Sequence, residues 1–470
     1  MSALTRVAVV GSGPSGLYTA QALLDQERSP HLTVDVLDRL PSPYGLVRYG
    51  VAPDHEKIKS LQHTLRRVLE DPRVRFAGNV AVGPGGVSTE ELRGLYQAVV
   101  YCVGAAADRR LGIPGEDLPG SSSATDFVSW YSGHPDAGGG FPLTARSAVV
   151  IGVGNVAVDV ARLLVRGAAE LRGTDMPQGP LDALVASGVR TVHMVGRRGP
   201  AQAKFTTREL RELGTLPGTD VVVRGEELAG GPADTAPDGL PTAVRRNLDT
   251  LRAWARTPPA GQDRRIELRF HLRPVEILGD TADGVRAVRF ERTAPDGEGG
   301  VAGTGVFEDV PAQWVLRSVG YRGVPLAGLP FDDRSGTVPN EGGRVLRDGA
   351  PSPGEYVAGW IKRGPTGVIG TNRPCAKETV ASLLADAGAL AGRPVADTDP
   401  LRALEAQGRS PVLWPGWLGI EAAETRLGRS LSRTTAKIPD WDGLLSAARE
   451  PGSGASGLGG AVTGAAGSPA

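Results

Sequence analysis

Val7-Ala8-Val9-Val10-Gly11-Ser12-Gly13-Pro14-Ser15-Gly16 is the stretch on which the fold turns, and Leu17, Ala20, Leu23 and Leu24 follow it at helical spacing. Four uncharged apolar residues read as a buried strand, the glycines as a tight turn, and the 3.6-residue apolar period as an amphipathic helix. In that order they form a GxGxxG dinucleotide-binding start. Gly11 permits the turn, Gly13 lets a pyrophosphate approach the backbone, Gly16 lets helix and strand pack closely, and the helix N-terminus favours the anion. A second apolar strand, Thr33 to Leu37, ends at Asp38, where a carboxylate can hydrogen-bond a ribose diol. An ordinary glycine turn is the plainer alternative. Strand, helix and terminal acid together favour adenine dinucleotide binding.

The same rhythm begins again near residue 147. Ser147 to Ile151 reads as a buried strand, Gly152-Val153-Gly154-Asn155-Val156-Ala157 has the GxGxxA form, and 155–166 carries Val156, Val160, Leu163 and Leu164 at helical spacing. The strand expected at 189–195 ends in Gly196-Arg197-Arg198 rather than in an acid. Two guanidiniums can grip a 2′-phosphate bidentately where a carboxylate would repel it, so this site is expected to prefer NADP(H); the alternative is a solvated basic turn. Thr206-Thr207-Arg208-Glu209 fits a capping box, which gives Glu209 a structural reading beside a cofactor contact.

The chain has 470 residues, too many for one ordinary core, and two dinucleotide starts imply an α/β protein with two Rossmann-like dinucleotide-binding domains. Apolar strands at 98–103 and 314–319, each running into glycine, read as paired crossings between them. The expected division is a first segment 1–104, a middle domain 105–318, a returning segment 319–450 and a disordered Gly/Ala/Ser/Pro tail at 451–470. Stretches 216–243 and 279–304, rich in Gly, Pro and Asp, suit surface loops and hairpins. Lys+Arg and Asp+Glu are 52 each, which excludes a global drive toward nucleic acid or anionic membrane. No apolar run is long enough to span a bilayer, no export or transit signal is visible, and a reduced cytoplasm is the expected location. Cys102 and Cys375 lack CxxC spacing, so no redox dithiol, zinc or iron–sulfur pattern is present.

Three motifs go beyond generic fold logic: Pro43-Tyr44-Gly45-Leu46-Val47-Arg48-Tyr49-Gly50-Val51-Ala52-Pro53-Asp54-His55, Gly196-Arg197-Arg198-Gly199-Pro200, and Gly359-Trp360-Ile361-Lys362-Arg363-Gly364-Pro365-Thr366-Gly367-Val368-Ile369-Gly370. With them the chain, over about residues 5–450, closely resembles the adrenodoxin reductase type of ferredoxin-NADP reductase. The resemblance implies a glutathione-reductase-like flavoprotein architecture, with FAD at the first site and NADP(H) at the second. It implies FAD contacts at Ser15, Asp38, Leu46, Val82, Trp360, Gly367, Val368 and Ile369. It likewise implies NADP contacts at Val153, Gly154, Asn155, Val156, Arg197, Arg198, Glu209 and Gly367. Asp38 is one methylene shorter than the glutamate of animal members, and a mitochondrial presequence is missing, which points to a bacterial, cytoplasmic member. Without the name, the loop of Gly364, Gly367 and Gly370 feeding a helix at about 371–386 can let flat rings stack and can stabilise negative charge on a flavin; an interdomain hinge is its alternative.

The implied reaction takes hydride from NADPH to flavin and delivers single electrons to an iron–sulfur protein, for instance in support of cytochrome P450 systems. Such chemistry needs positioning more than acid–base catalysis. His55 and Asp159 are the catalytic candidates: His55 as a proton-coupling or a structural histidine, and Asp159, which interrupts an apolar helix face, as a proton partner or a hydrogen bond between domains. Ferredoxins are small and acidic, so a basic face is expected at Arg208, Arg211, Arg245, Arg252 and Arg256 unless these are simply solvated. The competing readings are an NADPH-oxidising flavoprotein serving a quinone, a flavodoxin or a partner subunit, and a non-catalytic FAD/NADP(H) sensor. Glutamate synthase-like modules carry cysteine clusters that are missing here.

Overall fold

The computed structural model describes residues 4–25, 31–229 and 239–450. The segment 451–470, expected to be a tail, lies outside the described residues, as does 230–238 within the expected loop 216–243.

Two parallel sheets carry the two starts. The first has eight strands, and its centre is Arg6–Val10, flanked by Thr33–Leu37 on one side and Ala98–Tyr101 on the other. Val7 pairs in register with both Val34 and Ala98. Strands buried on both faces explain the unbroken apolar runs. Val74–Gly78 extends the sheet on one side, and Ala350–Val357 joins Ala98–Tyr101 in parallel on the other. The short strands Val412–Leu413 and Arg344–Arg347 add antiparallel edges.

The second sheet has six strands, among them Ser147–Ile151, Thr191–Val195, Arg264–Arg269 and Trp314–Arg317. Its start repeats the first: Ser147 pairs with Thr191 and Ala148 with Trp314, and helix Asn155–Val165 buries Val160, Leu163 and Leu164 against the sheet. The two chain crossings between the sheets lie side by side, joined by a two-residue antiparallel ladder of Ala107–Asp108 with Tyr321–Arg322. The Gly- and Asp-rich stretch 279–304 belongs to a three-stranded antiparallel sheet, Leu272–Asp280, Gly284–Pro295 and Val301–Pro311. No helix among the described residues is long and apolar enough to cross a membrane.

Segments remote in sequence are tied where the loop 43–55 meets the C-terminal helices. Arg48 donates to Glu424 at 2.5 Å, both side chains buried, and Glu424 also accepts the Ile438 N–H. Lys437 Nζ, likewise buried, donates to the carbonyls of Arg48 at 2.6 Å and Ser132 at 3.0 Å. Asp175 receives Lys59 and lies 3.4 Å from Lys437. Burial alone would raise the Asp175 carboxyl, but Lys437 and Lys59 outweigh it and hold the group down at about 2. A carboxylate depressed below its unfolded value of about 4 contributes stability above that pH and loses it as the pH falls toward 2. Asp175→Asn should therefore flatten the acid limb of denaturant-measured stability between pH 4 and 2. There wild type should lose about 2–3 kcal/mol more than the variant; parallel acid limbs would show that the pairing contributes nothing.

Candidate functional site

The glycines of each loop divide into two kinds. Gly11 sits at φ +107°, and a side-chain carbon there would fall 2.5 Å from the Cys102 carbonyl oxygen; one on Gly16 would fall 1.8 Å from the Gly11 oxygen. These two are required by packing. Gly13, the helix N-cap, is extended instead, and its nearest neighbour would be the Gly45 Cα at 3.9 Å. The second loop repeats the division: Gly152, at φ +140°, is pressed against the Ser318 oxygen, whereas Gly154 faces open space. In both loops the glycine that fold logic reserves for a pyrophosphate is the one not pressed against a carbonyl, with Gly45 at ordinary contact distance over Gly13 and open space at Gly154. Asp38 does more than await a ribose. Its Oδ2 accepts the Ser12 N–H at 2.7 Å and the Ser12 hydroxyl, and its Oδ1 accepts the Leu40 N–H, so it also braces the first loop.

Other elements converge on the first loop. Tyr44 and Gly45, both at positive φ, carry the chain over Gly13 into the short helix Leu46–Tyr49, where Leu46 is exposed. Val82 stands in the Val82–Val87 bridge beyond Val74–Gly78. Gly359, at φ +78°, allows close passage over Ser15, whose Oγ would lie 2.3 Å from a side-chain carbon there. Trp360 packs on Tyr321 with ring centroids 5.3 Å apart, and its indole Nε1 is buried without a hydrogen-bond partner among the described residues. Gly367 is at φ +82°, Val368 is exposed, and Ile369 begins the turn that opens helix Asn372–Ala385. Arg363 fixes that corner by donating to Thr371 Oγ1 and Asn372 Oδ1, each at 3.0 Å. Gly364 and Gly370 face open space. Uncovered backbone beside an unsatisfied indole N–H fits a flat flavin dinucleotide.

At the second loop, Lys204 N–H donates to the Val153 carbonyl and Thr206 N–H to Asn155 Oδ1, which fixes the Asn155 side chain through its oxygen. Val156 is partly buried behind it. Arg197 is exposed, and Arg198 is half-buried with its Nε unpartnered among the described residues. Two uncommitted guanidiniums beyond an open glycine fit a dinucleotide carrying an additional phosphate.

His55 and Asp159 are brought together. His55 Nε2, almost fully buried, lies 2.8 Å from Asp159 Oδ1, 2.6 Å from Arg162 Nη2, 3.3 Å from Glu209 Oε2 and 3.7 Å from Glu212 Oε2. Asp54 pairs with Arg162 and Arg166. The capping-box expectation for Glu209 is corrected. Thr206 Oγ1 accepts the Glu209 N–H at 3.3 Å, but the Glu209 side chain turns to His55 instead of closing the box. Burial pushes the Glu209 carboxyl up, while His55 opposes the shift. Asp54, Arg162 and Glu212 were not anticipated. Arg162, one helical turn from Asp159, was legible as an i,i+3 partner, and Asp54 adjoins His55 in the loop.

The contrast between glycines yields a prediction. Gly154→Ala should cost no more than about 1 kcal/mol of stability, yet weaken dinucleotide binding tenfold or more, about 1.4 kcal/mol. Gly152→Ala should cost roughly 2–4 kcal/mol. Paired thermal melts and binding titrations check this; equal effects of the two on stability would remove the distinction.

The pyridine nucleotide-disulphide oxidoreductase family description matches residues 5–211. NADPH-ferredoxin reductase FprA of Mycobacterium tuberculosis is 50% identical over 388 residues, 81% of this chain and 84% of the relative. Mitochondrial NADPH:adrenodoxin oxidoreductase of Arabidopsis thaliana is 41% identical over 461 residues, covering 94% and 95%. The solved structure of M. tuberculosis FprA in complex with NADPH superposes with a TM-score of 0.88 at 45% identity, covering 95% of this chain and 99% of that one. With two dinucleotide loops of matching build and relatives aligned along nearly its whole length, the chain belongs to the family of NADPH-ferredoxin and adrenodoxin reductases.

Proposed function

We propose that the chain is an FAD-dependent NADPH:ferredoxin oxidoreductase acting in the cytoplasm of a bacterium. The observation that carries this reading is the pair of loops whose central glycine is free of any carbonyl clash, one met at Ser15 by the glycine-rich segment that starts at Gly359 and the other leading to Arg197 and Arg198, whose guanidiniums have no partner among the described residues. FAD, when bound, supplies the exchange between hydride transfer and single-electron steps; the protein binds, aligns and shields.

In this reading Gly11, Gly13, Ser15 and Gly16 shape the pyrophosphate cradle, and Asp38 orients the ribose while bracing Ser12. Leu46, Val82 and Trp360 flank the rings, and Gly367, Val368 and Ile369 present the start of helix Asn372–Ala385 to the pole where negative charge gathers. Gly154 admits the second pyrophosphate along the backbone of Val153, Asn155 and Val156, and Arg197 and Arg198 take the 2′-phosphate. His55, buried with Arg162 and Glu209 between the loop 51–55 and two helices of the second half, and the partly buried Asp159 hold the nicotinamide side in alignment with the flavin side. In the same reading the chain divides at 104/105 and 318/319, giving each cofactor its own sheet.

The direct test is spectroscopic. The purified protein should be yellow and bleach anaerobically with NADPH, and far more slowly with NADH. Arg197→Ala and Arg198→Ala should each cut the preference for NADPH about 10- to 100-fold, the loss of a charge-assisted contact of about 1.5–3 kcal/mol, with little change toward NADH. A colourless protein that cannot be reconstituted with FAD would end the proposal.

The electron acceptor is proposed to be a small acidic iron–sulfur protein. Helices Thr207–Leu213 and Thr242–Arg256 lie side by side, with Thr207 Oγ1 donating to the Ala243 carbonyl. Arg211, Arg245 and Arg256 are exposed on them with no carboxylate partner among the described residues. Arg252 is half-buried, and Arg208 is partly neutralised by Glu212 at 3.1 Å. Reduction of ferredoxin should slow steeply between low and physiological salt, whereas NADPH-dependent dye reduction should change little. Equal salt dependence of the two assays would exclude electrostatic docking.

A further inference from the structure

His271 is the one non-glycine residue at positive φ, +59°, beside the second site, at the point where strand Arg264–Arg269 of the parallel sheet gives way to Leu272–Asp280 of the antiparallel one. Its backbone is bound to the arginine turn. His271 N–H donates to the Arg198 carbonyl at 3.2 Å, and its own carbonyl accepts the Thr293 N–H at 2.9 Å. The Thr293 hydroxyl donates to the Arg197 carbonyl at 2.7 Å. The turn is further held by Gly196 N–H to the Arg269 carbonyl and Leu272 N–H to the Gly196 carbonyl. The His271 ring lies against Gly199, where a side-chain carbon would fall 2.8 Å from Cε1 and 2.9 Å from Nε2. Only glycine leaves room for that ring.

The imidazole is half-buried, and neither of its nitrogens has a hydrogen-bond partner among the described residues. An L-residue held in the left-handed region by hydrogen bonds through its own N–H and carbonyl, its ring against Gly199 directly after the Arg197-Arg198 pair, is the kind of strained position that serves a ligand. We propose that His271 is the third group of the second site, an imidazole that takes a proton from solvent and donates a hydrogen bond to the phosphate gripped by Arg197 and Arg198. This rests on the NADP(H) reading above.

The surrounding charges fit the role. Burial lowers the proton affinity of the ring, Glu227 opposes that shift and Arg292 adds to it; Arg292 is itself engaged by Glu308 at 2.8 Å. A dianion beside the ring favours the imidazolium, so binding and protonation become linked. The affinity for a phosphate-bearing adenosine should rise as pH falls through the region where the ring titrates.

The test is calorimetric titration of 2′,5′-ADP and of ADP into the FAD-loaded protein at pH 6 and pH 8, in two buffers of different ionisation heat. Wild type is compared with His271→Asn, because asparagine tolerates the left-handed backbone and keeps a donor but does not titrate. Wild type should tighten toward 2′,5′-ADP from pH 8 to pH 6 by up to about tenfold more than the variant for each unit the phosphate raises the ring's pKa. It should also take up a proton fraction that the variant lacks, and ADP should show neither difference. Equal pH dependence and equal proton uptake in the two proteins, or a difference that persists with ADP, would overturn the assignment. If His271→Asn does not fold, His271→Gly, which relieves the strained φ, serves in the same comparison. Wild type binding 2′,5′-ADP no better than ADP would instead sink the NADP(H) reading on which the proposal stands.

Discussion

A helix can lie on a parallel sheet at backbone distance only where nothing projects between them, and here that distance is set by Gly16 against the carbonyl of Gly11. The contact places the first turn of helix Pro14–Leu24 directly beyond strand Arg6–Val10. Everything at the first site is measured from there. The Asp38 carboxylate grips Ser12, the loop through Tyr44 and Gly45 passes over Gly13, and Gly359 passes over Ser15. In the second loop Gly152 against Ser318 repeats the contact of Gly11 with Cys102, and Ala157 stands where Gly16 stands in the first.

Much of this was legible because it is written in small residues and apolar periods, which act locally. The strand–turn–helix units, the arginines ending the strand Thr191–Val195 and the helix beginning near residue 372 needed no knowledge of distant neighbours. What escaped is what depends on remote side chains. Thr206 caps its helix as the local pattern implies, but Glu209 follows a stronger attraction, a buried histidine from a loop about 150 residues earlier in the chain. The antiparallel sheet in the middle of the chain reads as loops and hairpins because strand Val301–Pro311 is largely exposed and carries little alternation. The bracing role of Asp38 was hidden because a single sequence shows a carboxylate at a strand end, not both of its oxygens in use.

The charged groups between the two sheets share a rule: each buried ion has its counterion or a set of carbonyls. Arg48 has Glu424, Lys437 has two backbone oxygens and Asp175, and Arg162 has Asp54 and Asp159. Such pairs add little net stability over apolar packing, but they penalise any arrangement that separates the partners. That suits an interface whose task is alignment. The zero net charge of the chain conceals this sorting, with paired charges inside and, on the outer helices, Arg211, Arg245 and Arg256 without a carboxylate partner among the described residues.

The order of strands in the first sheet bears on how the chain reaches this state. Ala98–Tyr101 lies between Arg6–Val10 and Ala350–Val357, and the far edge is closed by Val412–Leu413. As the polypeptide leaves the ribosome, that sheet must wait with an open edge for more than two hundred residues, while the six-stranded sheet, whose strands all lie between residues 121 and 317, completes itself from its own sequence. The inserted half is thus free to fold first and to bring Tyr101 and its late partner strand close together, shortening the loop that the last pairing has to close.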